Sequence, residues 1–198
     1  GISALLLAAG ESTRMGRLKA LLPWQGTTLV EYQVDSLQRA GVAEIVVVVG
    51  HMGEAVRAHL DGKLGVVVVV NPHHRQGKTT SIRAGLEAVS PDAQGILIAA
   101  VDQPRPCRIL EALVQAHLEG GSPITCPAYR GRAGHPLIFS RGLLPELLAI
   151  TEEGQGLREV TRRYGEKTLR LEVDDPIVTV DLNLPEVLRE GERLWAGP

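Results

Sequence analysis

Four short aliphatic runs constrain this chain more than any other feature: ALLLAA from Ala4, IVVVV from Ile45, VVVVV from Val66 and ILIAAV from Ile96. Each is too short for a typical helix and carries no polar residue. Runs of this kind read as strands, and the first, over 2–8, has the short apolar form of a buried strand in a parallel sheet. Aromatic residues make up 3% of the 198 positions, so the core has to be aliphatic.

Helical patterns fall between these runs. Thr28 and Glu31 have capping-box spacing, with Val30, Val34 and Leu37 on one face behind them and Gly41 as a stop. A short helix is expected over 53–60 and another over 80–89. Leu110, Leu113, Val114, His117 and Leu118 have amphipathic spacing, ended by Gly120 and Gly121. Strands are expected over 2–8, 45–49, 64–70 and 95–100, with short ones at 124–127 and 136–139. Helices follow over 143–150 and 157–164, then a strand over 168–173. Pro185 suits the first turn of a last helix.

This alternation predicts an α/β fold with three layers: a mostly parallel sheet with helices on both faces. No repeat, linker or shift in composition divides the chain, so 1–198 reads as a single domain. In such sheets ligands bind beyond the carboxyl ends of the strands. The loops after Ala8, Val70 and Ala100 leave from those ends.

The first of these loops is the most informative. LAAGESTRMGRLK (7–19) places two glycines and then Arg14, Arg17 and Lys19 directly behind a strand. Glycines let the backbone approach a bulky anion, turned-out amides can cradle phosphate, and cations neutralise its oxygens. The Rossmann fingerprint is absent, because Gly10 is followed by Glu11 and Ser12. The P-loop is absent as well: Gly10 and Gly16 lie one residue too far apart, and Pro72 stands five before Gly77. The absent fingerprint also argues against a redox enzyme on a Rossmann-type sheet.

LAAGESTRMGRLKALLPW resembles the signature of the molybdenum cofactor cytidylyltransferase-like (MobA-like) NTP transferases. More broadly it resembles the pyrophosphorylases that make nucleotide sugars. NPHHRQGKTTSIRAGL (71–86), VDQP (101–104), GHPLIF (134–139) and VDLNLPE (180–186) match in order, so the likeness spans nearly the whole chain. It implies a nucleotide-diphospho-sugar transferase-like, Rossmann-like fold and a Mg²⁺-dependent reaction. In that reaction a phosphorylated acceptor attacks the α-phosphorus of a nucleoside triphosphate and pyrophosphate leaves.

The resemblance assigns catalytic roles to Lys19, Arg14 and Asp102. Leu7, Ala8, Ala9, Gly10, Arg14, Lys19, Asn71, Gly77 and Ser81 become nucleotide-binding residues. Arg130, Arg132, Gly134 and His135 would meet the acceptor, and Asp102, Asp181 and Asn183 the metal. Asp102 emerges at a strand end, where a carboxylate suits Mg²⁺; the alternative is a cap for the helix starting near Pro106. Relatives read D-x-D-T-P-E where this chain has Asn183 and Leu184. That leaves Asp181, Asn183 or both as ligands, with Asn183 also placed to cap a last helix. Ser81 and its neighbours open a helix whose N-terminus either faces an anion or nucleobase or is ordinarily capped. His135 is acceptor-binding or structural.

LAAG rather than LAGG tilts the donor toward CTP, since Ala9 narrows the space beside a base. The acceptor implied is molybdopterin, with hand-over to a molybdoenzyme or its chaperone. A sugar- or polyol-phosphate acceptor, or a carrier without turnover, are the other readings. Net charge is −2, without the basic excess of nucleic-acid binders. No run approaches the roughly 20 apolar residues of a membrane helix, and ALLLAA is too short for a signal core. Cys107 and Cys126 show neither metal spacing nor a disulfide framework, so a reducing cytoplasm is expected.

Overall fold

The computed structural model describes residues 1–10 and 18–182. The expected helix after Pro185, and the candidates Arg14 and Asn183, lie outside the described residues. Strands β1 (Ile2–Ala8), β4 (Glu44–Val49), β5 (Val66–Val70) and β6 (Gly95–Ala100) are the four aliphatic runs. They pair in parallel in the order β6-β1-β4-β5. The sheet continues past β6 through β9 (Leu137–Ser140), β7 (Ile124–Tyr129) and β10 (Thr168–Glu172), with short β8 (Arg132–Ala133) on β7. Strand β9 runs antiparallel to both β6 and β7, while β10 is parallel to β7. The sheet is therefore mixed and mostly parallel, as expected.

The period-2 alternation of strands divides the core in two. Ile2, Ala4, Leu6, Ile45, Val47, Leu97 and Ala99 face one layer, packed under α1 (Leu29–Arg39), α2 (Gly53–His59) and α4 (Cys107–Gly120). Leu5, Leu7, Val46, Val48, Ile96 and Ile98 face the other, under α3 (Lys78–Ala88), α5 (Leu144–Leu148) and α6 (Leu157–Arg163). Helices on both faces make three layers. Helix α3 lies close on the sheet because Gly85 has no side chain: a Cβ there would come within 1.9 Å of Leu5 Cδ1.

Local detail follows the chemistry, with corrections. The Thr28–Glu31 capping box is formed. The stripe on α4 is Ile109, Leu110, Leu113, Val114 and His117; Leu118 is exposed instead. At about 100° per residue, position 118 has rotated off the buried face. Helix α3 starts two residues earlier than expected, directly after Gly77. A small antiparallel pair, β2 (Pro23–Trp24) and β3 (Thr27–Thr28), was not anticipated. Its turn residues Gln25 and Gly26 both take positive φ, the twist that two-residue hairpins require.

Candidate active site

Two clefts meet at the carboxyl-end side of the sheet. The first, about 430 Å³, is lined by Leu7, Ala9 and Gly10 after β1, by Lys19, by His74, Arg75, Lys78 and Ser81, and by Asp102 after β6. Three segments far apart in sequence meet there because β1 and β6 are adjacent and α3 packs over them.

Lys19 Nζ stands 3.5 Å from Asp102 Oδ2, and about a fifth of each side chain is exposed. The carboxylate thus faces a cation across the cleft and does not cap a helix: α4 begins at Cys107 after Pro106 and has no side-chain cap. The cap alternative for Asp102 is excluded on that ground. Asp181 is held nearby. Leu182 N–H donates to Asp102 O at 2.8 Å, and Gln103 Nε2 donates to Asp181 Oδ1 at 2.6 Å.

Behind these carboxylates lies Arg105, 1% exposed, which sequence reasoning missed. Its guanidinium donates to the carbonyl oxygens of His135, Pro104, Val180 and Val178 at 2.9–3.2 Å. One planar fork thereby ties together the segments of Asp102, His135 and Asp181. Burial pushes its pKa down to about 10, against the pull of Asp181, Asp102 and Asp175. No sequence signal marks it beyond an arginine between two prolines. Asp175 secures the same segment by accepting from Ile177 N–H and from Arg108 Nη2.

The remaining nucleotide-side candidates divide. Ala8 is buried in the core and lies outside the cleft lining, as do Asn71 and Gly77. Asn71 organises its own loop: Nδ2 donates to Thr80 Oγ1 and Ser81 Oγ, and Oδ1 accepts from His73 N–H. Gly77 takes φ +126°, and a Cβ there would come within 2.3 Å of Glu152.

Glu152 bears on the two alternatives for the N-terminus of α3. The helix N-terminus does not face an open anion site, because Glu152 Oε2 accepts from Thr79 N–H at 2.9 Å. Those hydrogen bonds hold the Glu152 carboxyl below its ordinary range. A carboxylate 73 residues downstream therefore serves as the cap.

The second cleft, about 710 Å³, adjoins the first at Lys78. Ile82, Ile124, Leu137 and Leu157 give it apolar walls, Lys78, Arg158, Arg162 and Arg170 are its cations, and Glu152 is its carboxylate. Gly134 and His135 line it too. Burial, then Arg105 and Lys78, pull the His135 pKa below its ordinary value, which favours the neutral ring. Arg130 and Arg132 do not line this cleft. Arg130 lies over the Tyr129 ring, and Arg132 is exposed on β8, whose next residue, Ala133, does line the cleft. The arginines that do line it come from α6 and β10, which carried no motif.

Among the described residues no group of three or more His, Cys, Asp or Glu could hold a metal alone. Asp102 in the cleft lining, with Asp181 tied beside it through Gln103 and Leu182, nevertheless fits Mg²⁺, which commonly takes one or two carboxylates and completes its shell with waters and substrate phosphates. No described helix is long and apolar enough to cross a membrane.

Comparison with known proteins agrees with this geometry. The Mycobacterium tuberculosis H37Rv protein Rv0371c superposes with a TM-score of 0.84 at 28% identity, covering 97% of both chains. The same protein has been solved as a complex with manganese. The molybdenum cofactor cytidylyltransferase of Escherichia coli K12 is 26% identical over 93% of this chain and 92% of its own. Nicotine blue oxidoreductase of Paenarthrobacter nicotinovorans is 34% identical over 82% of each chain. The MobA-like NTP transferase domain model matches residues 4–168. The chain therefore belongs to the MobA-like NTP transferase family, a family of nucleotidyltransferase enzymes.

Proposed function

We propose that residues 1–198 form one Mg²⁺-dependent nucleotidyltransferase domain that transfers CMP from CTP to molybdopterin and releases pyrophosphate. The observation that carries this reading is the Lys19–Asp102 pair at the mouth of the first cleft. A fixed cation and carboxylate, set beside a glycine-containing loop at the sheet's carboxyl end, suit a triphosphate and its metal.

Asp102 and Asp181 would hold Mg²⁺, with Asn183 as a further oxygen donor. Mg²⁺ would supply charge neutralisation on the phosphates. Lys19 and Arg14 stabilise charge on the transferring phosphate and the departing pyrophosphate. Leu7, Ala9, Gly10 and Ser81 wall the nucleotide, and Ala9 limits the space beside the base. Gln103 orients Asp181, and Arg105 keeps both carboxylate segments in register. The protein makes no covalent bond to substrate; it positions groups and neutralises charge.

The acceptor enters through the second cleft, past Gly134 and His135. Arg158, Arg162 and Arg170 take the phosphate-binding role that the sequence suggested for Arg130 and Arg132. Sugar- and polyol-phosphates would meet the same cations but use the apolar walls less well than a pterin. The free thiols Cys107 and Cys126 agree with a cytoplasmic enzyme, and a molybdoenzyme or its chaperone would receive the product.

A second reading comes from the 34% identical relative named as an oxidoreductase. One screen separates the readings: pyrophosphate release from each nucleoside triphosphate with Mg²⁺ and molybdopterin, sugar phosphates or polyol phosphates. CTP- and Mg²⁺-dependent release with molybdopterin is expected. Release with a sugar phosphate would move the acceptor alone. No release, together with a change in the oxidation state of nicotine blue, would replace nucleotidyl transfer by a redox reaction. Binding of molybdopterin without either reaction would indicate a carrier.

A further inference from the structure

Lys78 is the one residue among the described ones that lines both clefts. It is the first residue of α3. A cation in the first turn of a helix opposes the macrodipole. Stability therefore does not explain this placement. Neither does ion pairing: among the described residues no carboxylate lies within ion-pair distance of Lys78. Glu152, the carboxylate in the lining of the second cleft, accepts from the Thr79 amide. Lys78 is exposed, so its ammonium group is available at the boundary where a donor in one cleft would meet an acceptor in the other.

We propose that Lys78 is a catalytic residue that holds the acceptor's attacking phosphate against the α-phosphate of the nucleotide. This rests on the nucleotidyl-transfer reading and narrows it to acceptors that attack through a phosphate oxygen. Two phosphates approaching each other repel, and a cation between them removes much of that cost. The step balances simply. An acceptor phosphate oxygen bonds to the α-phosphorus while the bond from that phosphorus to the bridging oxygen breaks. The electron pair leaves with pyrophosphate. The attacking oxygen is already ionised, so no proton has to be removed. A hydroxyl nucleophile would need a base here, and an ammonium group is the opposite of one.

Phenyl phosphate is a suitable probe, since its ring matches the apolar walls and its phosphate the cation. Calorimetry would measure its affinity for the protein loaded with Mg²⁺ and the α,β-methylene analogue of CTP. Lys78→Met should weaken phenyl phosphate about 10-fold or more, the effect of losing one charge-assisted contact. Analogue affinity should fall by a smaller factor than phenyl phosphate affinity, and Lys78→Arg should restore most of the loss. The position is exposed, so folding is not at stake. Should the analogue bind normally while phenyl phosphate binds wild type and Lys78→Met equally, the proposal is overturned by itself. Failure of wild type to bind the analogue at all would overturn it together with the nucleotidyl reading.

Discussion

The two clefts differ in how they are built. The first draws on loops that leave the carboxyl ends of adjacent parallel strands, β1 and β6, whose backbones are among the most deeply buried in the molecule. The second is assembled around antiparallel β9, the 151–156 loop, short helix α6 and edge strand β10. One is held by the centre of the sheet and the other by its margin. Generic phosphate chemistry belongs on the rigid centre, and selectivity for one acceptor belongs on the margin, where segments can change without disturbing the core. Substitutions in the first cleft should therefore act on turnover, and those in the second on acceptor affinity.

The largest effect is expected from Asp102→Asn. It removes a charge but neither a cap nor a core contact, so turnover should fall by at least about 10³-fold, beyond the usual loss of a single electrostatic donor. The melting temperature should barely move. An active variant would break the contrast at its centre. Lys19→Ala should slow turnover about 10²–10³-fold with little change in stability, as read by steady-state pyrophosphate release.

In the second cleft, the paired change Arg158→Ala and Arg162→Ala should raise the acceptor KM roughly 10-fold or more while kcat for saturating acceptor changes little. Arg130→Ala with Arg132→Ala should leave both within about 3-fold, by the same reckoning. If the outer pair mattered more, the acceptor would be approaching over β8 and not through the cleft.

Two stability effects sharpen the comparison from the side of the core. Gly85→Ala drives a methyl into Leu5 and Val48 and should cost about 1–3 kcal/mol, measurable by urea unfolding. The smallest effect is the pH dependence of His117. Buried against Thr125 and Ser140 by hydrogen bonds, its ring has a pKa below the ordinary 6.5 because burial disfavours the cation. The unfolded chain then binds more protons, so stability is full above about 6.5 and falls as pH drops through the folded value. His117→Asn should flatten that slope between pH 7 and 5.

The sequence made the central region legible and the margin much less so. Short aliphatic runs read as strands of a parallel sheet, so β1, β4, β5, β6 and the crevice at their ends followed directly, although the edge strand β5 is only half-buried, with Val67 and Val70 exposed. Asp102 drew notice because it stands just past such a run, and Lys19 because it closes the glycine- and arginine-bearing loop behind one. Glu152 was not, since its partner Thr79 lies far away in sequence and no local pattern announces a carboxylate that caps another segment's helix. Arg105 escaped for a related reason: its partners are backbone carbonyls, which have no signature in side-chain identity. Arg130 and Arg132 came from the resemblance, and in the structure they do not line the second cleft, although Ala133 beside them does. Lys78 carries no signal of its own in the sequence; the meeting of two cavities gives it a role.

The central claim is that the first cleft holds the nucleotide through a metal on Asp102 and Asp181. Anomalous diffraction from crystals grown with Mn²⁺ and the α,β-methylene analogue of CTP tests it most directly. The account predicts a manganese peak bonded to Asp102 and to Asp181, with the triphosphate beside Lys19 and Gly10. A nucleotide bound elsewhere, or a manganese peak away from both carboxylates, would contradict it.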